Sequence, residues 1–297
     1  MAIKKVGVIG CGLMGHGIVQ VAAQSGFEVV ALESTQPALD KGLARIEKSL
    51  AKFAEKAVEK GKQTEDQAKA FVEAARGRIL GSLDKQDLAD CDLVIEAIVE
   101  DLDVKNALFA ELGKICKPET ILASNTSSFP ISEMGVASGR PERMVGLHFF
   151  NPVQLMRLVE VVRGEQTAED VFAQAKAFGE AVGKTPVSCK DTPGFVVNRL
   201  LVPYMSQALL MLDRGDATKE DIDAAMQFGC GYPMGPLTLT DYVGLDTTLS
   251  ILEGWVERYP NEPAFVIPQI LKDKVAAGKL GRKSGEGFYK WEGDKKS

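Results

Sequence analysis

At 297 residues, with 35 Lys and Arg against 41 Asp and Glu for a formal net charge of −6, the chain has room for two domains and is too acidic for a protein built to wrap nucleic acid. Its 45% hydrophobic and 26% charged residues are those of a globular fold, which excludes disorder on a large scale. No apolar run reaches the roughly eighteen residues that a membrane-spanning helix needs.

The opening MAIKKVGVIG runs directly into an apolar strand, leaving no room for an export signal, and the five cysteines are scattered without metal-ligand spacing. A reduced cytoplasmic setting, with no metal, no membrane and no nucleic-acid partner, is therefore expected.

Val6 to Ile9, Phe27 to Leu32, Leu93 to Ile98, Ile121 to Ser124 and Met144 to Phe150 are short apolar runs separated by helical stretches. That alternation predicts an α/β fold with a mostly parallel sheet, which Leu158 to Val162 and Pro186 to Cys189 extend. Between the second strand and Leu93, the apolar residues Leu43, Ile46, Leu50, Phe53 and Ala57 recur at helical steps. Thr64 reads as the N-cap of a second helix carrying Ala68, Phe71, Val72 and Ala75. Together they predict a helical hairpin over about 41–78, an insertion of roughly forty residues where short connections are usual.

Beyond Cys189 the pattern turns helical, over Phe195 to Leu212, Lys219 to Phe228, Leu237 to Trp255 and Phe265 to Ala277. The predicted organisation is a Rossmann-type domain over 1–189 and an all-helical domain over 190–297. Leu200, Leu201, Val202, Leu209, Leu210 and Leu212 give the second domain more apolar helix than its own core needs, which points to a homodimer interface.

Gly10-Cys11-Gly12-Leu13-Met14-Gly15 follows the first strand and opens a helix. In such a loop Gly10 allows the tight turn, Gly12 lets the backbone approach a pyrophosphate, and Gly15 lets helix and strand pack closely. The helix N-terminus then attracts the phosphates. Glu33 ends the second strand eighteen residues after Gly15, where a carboxylate can accept hydrogen bonds from the adenosine ribose and repel a 2′-phosphate. This combination predicts an NAD site, with NADP disfavoured.

Of the two histidines, His16 sits behind the glycine loop, where it packs near phosphate. His148 lies at the carboxyl end of a strand, the end that faces the ligand crevice in an open parallel sheet. Glu160 is a carboxylate inside the otherwise apolar run Leu158 to Val162, and a buried carboxylate requires a partner. If these strands pair through the Asn151-Pro152 turn, Glu160 can orient the imidazole of His148 as the base for an alcohol.

The ordered series GCGLMGHG, EAIVEDLDVK, ASNTSS, GLHFFNPV, LVEVV, KDTPGFVVNRLL and GYPMGPLTLTDYVGLD resembles the L-3-hydroxyacyl-CoA dehydrogenase family, of the bacterial 3-hydroxybutyryl-CoA dehydrogenase kind, over nearly the whole chain. The resemblance implies that His148 takes the proton of a substrate 3-hydroxyl while hydride leaves C3 for NAD. It implies Glu160 as the partner of His148, Ser127 on the reacting oxygen, and Asn198 supporting the substrate. It further implies Leu13, Met14, Glu100, Lys105 and Asn125 at the cofactor, Asn151 at the substrate, and Ser49 and Lys56 at the CoA moiety of an acyl-CoA thioester. Read without it, Glu100 and Lys105 are first-turn helix charges and Ser127 a turn residue. Lys48, Lys52, Lys56 and Lys60 stack along one helix side as counter-charge for CoA phosphates, although interleaved Glu47, Glu55 and Glu59 also fit a solvated face. Glu33 stands where many relatives carry aspartate. Two alternatives remain at this point: a dehydrogenase of a free 3-hydroxy acid, and a catalytically idle NAD-binding protein of the crystallin kind.

Overall fold

A computed structural model describes residues 3–297. It divides into two compact units, one ending at Phe195 and one over Val196–Ser297. In the first, β1 (Lys5–Ile9), α1 (Gly15–Gln24), β2 (Glu28–Leu32), α2 (Gln36–Glu59), α3 (Glu65–Gly77), β3 (Ile79–Ser82), β4 (Leu93–Glu96), α4 (Leu102–Ile115), β5 (Ile121–Ser124), α5 (Ile131–Ala137), β6 (Met144–Phe149), β7 (Leu158–Arg163), α6 (Glu169–Ala181) and β8 (Thr185–Lys190) follow one another.

The strands form one eight-stranded sheet in the order β3-β2-β1-β4-β5-β6-β7-β8. The first six are parallel, while β7 runs antiparallel to β6 and parallel to β8. Every residue of β4, β5 and β6 is buried, so these strands read as continuous apolar runs, as strands covered on both faces must. Alternate residues feed two cores. Val6 and Val8 pack with Ile18, Val19, Phe172 and Phe178 on one face, and Ile9, Val94 and Leu122 pack with Phe109, Leu112 and Met134 on the other.

Chain order reverses between β1 and β4, which leaves a crevice at their carboxyl ends. There Gly10 takes φ +90, a left-handed conformation, and a Cβ on it would stand 2.7 Å from the carbonyl oxygen of Ala97. A Cβ on Gly15 would lie 1.6 Å from the carbonyl oxygen of Gly10, whereas nothing lies within 4 Å of a Cβ placed on Gly12.

The insertion between β2 and β3 is the hairpin of α2 and α3. Leu39, Ile46, Leu50 and Ala54 form the buried stripe of α2. Thr64 caps α3 through a capping box in which its hydroxyl accepts from Gln67 N and the Gln67 side chain accepts from Thr64 N. Glu47 and Arg76 join the two helices at 2.9 Å. Strand β3 was not among the expected strands: it is a four-residue edge whose Leu80 and Gly81 are exposed, so it shows neither an apolar run nor a clean alternation.

The second unit contains α7 (Val197–Asp213), α8 (Lys219–Cys230), α9 (Pro236–Val243), α10 (Leu245–Arg258) and α11 (Gln269–Ala276), then a ribbon of β9 (Trp291–Glu292) and β10 (Lys295–Lys296). The expected single helix from Leu237 to Trp255 is two helices, because Gly244 at φ +100 breaks it. Asp241, 1% exposed, pins the C-terminal segment by accepting from Phe288 N, Tyr289 N and Trp291 Nε1 at 2.8–2.9 Å. No helix among the described residues is long and apolar enough to cross a membrane.

The contrast between the loop glycines gives a direct test. Gly15→Ala forces the backbone of Gly10 aside and is expected to lower unfolding free energy by about 1–3 kcal/mol, the usual cost of overpacking, in urea titration. Gly12→Ala is expected to leave the urea midpoint in place and to weaken dinucleotide binding.

Candidate active site

Each functional side chain expected from the sequence falls at the carboxyl end of the sheet or on an element that leads from it, apart from the helical insertion and the second unit. Antiparallel pairing of β6 with β7 sets His148 directly opposite Glu160. Their side chains meet with Nδ1 of the imidazole 2.7 Å from Oε2 of the carboxylate, His148 being 6% and Glu160 0% exposed. Because the carboxylate accepts, Nδ1 is the donor of this bond, and in the neutral imidazole the lone pair is then on Nε2. The rings of Phe150 and Phe195 lie 4.5 and 5.6 Å from the imidazole, centroid to centroid. Phe195 holds φ +53, a strained backbone for a bulky residue.

The loop after β5 carries Asn125, Thr126, Ser127 and Ser128. Asn125 Oδ1 accepts from Phe149 N at 2.9 Å, which ties this loop to the end of the strand bearing His148. Ser127 is half-buried, with its hydroxyl 3.2 Å from that of Ser128. Its backbone N–H donates to Glu100 Oε1 at 3.1 Å, and Thr126 Oγ1 donates to the same oxygen at 2.5 Å. Asp191 holds the N-terminus of the following helix α5 by accepting from Ile131 N and Ser132 N.

Lys105 is not an open first-turn charge. It is 1% exposed, with its ammonium 2.5 Å from Glu96 Oε1 and 3.1 Å from Glu100 Oε2. Glu96, 0% exposed, was not among the expected site residues, although its signal is the one that marked Glu160: a carboxylate within an apolar strand, Leu93 to Ile98. Ser124 and Thr126, which join the same cluster, carry no such signal.

The glycine loop fits a dinucleotide on three observations. Gly12 is exposed with open space where a Cβ would stand, and helix α1 has no acidic residue in its first turn to occupy its positive end. Glu33 is fixed by the loop itself, Oε1 accepting from Cys11 N at 2.6 Å and Oε2 from Ser34 N at 3.1 Å. Leu13, 64% exposed, and Met14, half-buried, frame the loop, and His16 Nδ1 lies 2.7 Å from Gly12 O. Burial, with Glu33 beside it, pushes the Cys11 thiol up to about 12, so this cysteine is no nucleophile at neutral pH.

The remaining expected residues lie on other segments. Ser49 is half-buried, and Lys48, Lys52 and Lys56 are exposed along α2, as is Lys60 at its C-cap. Asn151 is exposed in the turn between β6 and β7, and Asn198 lies in the first turn of α7, in the second unit.

A glycine loop with an acid at the end of the next strand, and a carboxylate-oriented imidazole at the same sheet end, fit an alcohol-oxidising, nicotinamide-dependent dehydrogenase. The NAD binding domain of 3-hydroxyacyl-CoA dehydrogenase matches residues 5–192, and the C-terminal domain of 3-hydroxyacyl-CoA dehydrogenase matches residues 194–291. The chain belongs to the 3-hydroxyacyl-CoA dehydrogenase family, and its activity is the NAD-dependent one of that family. It is 52% identical over 287 residues to a probable 3-hydroxybutyryl-CoA dehydrogenase of Deinococcus radiodurans, covering 97% of this chain and 100% of that one. It is 50% identical over 291 residues to the mitochondrial hydroxyacyl-coenzyme A dehydrogenase of Homo sapiens, covering 98% of this chain and 92% of the relative. Among solved structures it resembles (S)-3-hydroxybutyryl-CoA dehydrogenase from Ralstonia eutropha, with a TM-score of 0.91, 39% identity, and coverage of 98% and 100% of the two chains.

A carboxylate repels a 2′-phosphate, and Glu33→Gln keeps an acceptor for Cys11 N while removing the charge. The kcat/KM ratio for NADPH over NADH is expected to rise roughly tenfold, a change of about 1.4 kcal/mol, when oxidation of each is followed at 340 nm.

Proposed function

We propose that the chain interconverts (S)-3-hydroxybutyryl-CoA and acetoacetyl-CoA, with His148, Glu160, Ser127 and Asn198 as the residues of the reaction. The observation that carries this reading is the 2.7 Å contact between His148 Nδ1 and a fully buried Glu160. Nε2 of His148 takes the proton from the substrate 3-hydroxyl during oxidation and returns it during reduction. Glu160 keeps the imidazole in the tautomer that presents Nε2 and stabilises the imidazolium formed once the proton arrives, as the carboxylate of a catalytic triad does. Ser127 donates its hydroxyl to the reacting oxygen as charge develops there, and Asn198 and Asn151 steady the substrate. NAD, when bound at Gly10, Gly12, Leu13, Met14, Gly15, Glu33, Glu100, Lys105 and Asn125, supplies the nicotinamide that accepts the hydride from C3. Ser49 and Lys56 on α2 hold the CoA moiety, with the neighbouring lysines as counter-charge.

Support for the four-carbon substrate comes from the similarity to the Deinococcus and Ralstonia 3-hydroxybutyryl-CoA dehydrogenases. The domain division proposed is a cofactor domain over 1–189 and a substrate and dimerisation domain over 190–297, in a cytoplasmic homodimer. Exposed apolar side chains on the second unit favour the dimer: Phe228 is 87% and Leu200 69% exposed. Val202 and Leu209, by contrast, serve that unit's own core.

With acetoacetyl-CoA and NADH, His148→Gln is expected to lower kcat by about 10²–10⁴-fold. Wild type should turn over the thioester far better than free acetoacetate. Full activity in the variant, or equal use of the free acid, rules the mechanism out. Sedimentation of the wild type at micromolar concentration should give a dimer that Leu200→Glu with Phe228→Glu converts to monomer; a monomeric wild type rules the interface out.

A further inference from the structure

Glu96 ends β4 in the middle of the sheet and is 0% exposed, yet it touches two other elements and the loop that follows it. Oε1 accepts from Lys105 Nζ on α4 at 2.5 Å and from Ile98 N at 2.8 Å, and Oε2 accepts from Ser124 Oγ on β5 at 2.6 Å. From there two routes of hydrogen bonds converge on one loop. In the first, Ser124 Oγ accepts from Thr126 N at 3.1 Å. In the second, the Lys105 ammonium passes to Glu100 Oε2 at 3.1 Å, and Glu100 Oε1 takes the Thr126 hydroxyl at 2.5 Å and the Ser127 N–H at 3.1 Å.

Desolvating a carboxylate and an ammonium together is costly, and a buried ion pair of this kind is commonly matched in stability by apolar side chains of similar size. What apolar residues cannot supply is direction. An ammonium bridging two carboxylates, with each carboxylate also taking hydroxyl or backbone donors, fixes the loop in one orientation through charge-assisted bonds. The cluster is fully enclosed at its root and open at its tip, since Ser127 and Glu100 are partly exposed while Glu96 and Lys105 are not.

We infer that Glu96 is a positioning residue for the reaction: through Lys105 and Glu100 on one side and Ser124 on the other, it sets the orientation of Ser127 toward the reacting oxygen. The inference rests on the role proposed for Ser127. It makes the Ser127 hydroxyl useful only while the Glu96 cluster is intact.

The test is a double-mutant cycle in kcat and KM with acetoacetyl-CoA and NADH, using Glu96→Gln, Ser127→Ala and both together, with circular dichroism and thermal melts as folding controls. Glu96→Gln is expected to lower kcat by about 10- to 100-fold, the scale of a displacement near 1 Å at a reacting centre, with KM for acetoacetyl-CoA changed less than about threefold. In its presence Ser127→Ala should cost little more. Thr126→Val, which removes the hydroxyl bond from the loop to Glu100 while leaving the Ser127 N–H bond and the Glu96–Lys105 pair, provides the same cycle should Glu96→Gln fail to fold. If Ser127→Ala costs the same factor with and without either partner change, Glu96 acts only on stability and the inference is overturned. If Ser127→Ala has no effect in the wild type, the role of Ser127 itself fails and this inference falls with it; His148→Gln still reads the base independently.

Discussion

The structure depends most on one strand pairing. β7 is the first strand of the sheet to run antiparallel to its neighbour, and that reversal lets two residues twelve apart in sequence face each other across a single ladder step. Opposed residues on neighbouring antiparallel strands hold their Cβ atoms about 5 Å apart, close enough for an imidazole and a carboxylate to bond directly. A one-residue slip in register would send the two side chains to opposite faces of the sheet. The alternating burial of β6 and β7 between two cores therefore fixes the geometry of the His148–Glu160 pair and the packing at once.

How much of this the sequence disclosed depended on how locally each feature is encoded. The glycine loop, the strand before it and the acid after it form a contiguous unit whose conformation is set by nearby residues, and so it could be read directly. The capping box at Thr64 and the buried stripe of α2 are local in the same sense. The break at Gly244 is not legible in the sequence, because a lone glycine inside a helical pattern does not announce whether its φ will be positive. β3 was missed because an edge strand draws its pairing from a neighbour, here β2, and not from its own composition.

The site divides along the same line. Glu160 stood out as a charge within an apolar run, and a histidine was available to answer it. Glu96 offered the same sign, but its partners lie on α4 and β5, nine and 28 residues away, and nothing in their own surroundings marks them. Ser124 and Thr126 look like ordinary loop and strand-end hydroxyls until the fold brings them to buried carboxylates. Polar clusters assembled from several elements are thus the part of a site that sequence patterns disclose least, since their logic is one of mutual satisfaction in a low-dielectric interior.

The hydrogen bond from Cys11 N to Glu33 has a consequence for how this enzyme can evolve. The acid proposed to select the cofactor is also a strut of the glycine loop, so on that proposal nucleotide preference and loop rigidity are not separately adjustable. Lineages drifting toward the phosphorylated cofactor cannot simply discard the carboxylate; they need a replacement that still accepts from the loop backbone. A single interaction of 2.6 Å narrows the mutational routes between the two nucleotide pools, and any redesign of cofactor choice has to pass through the same gate.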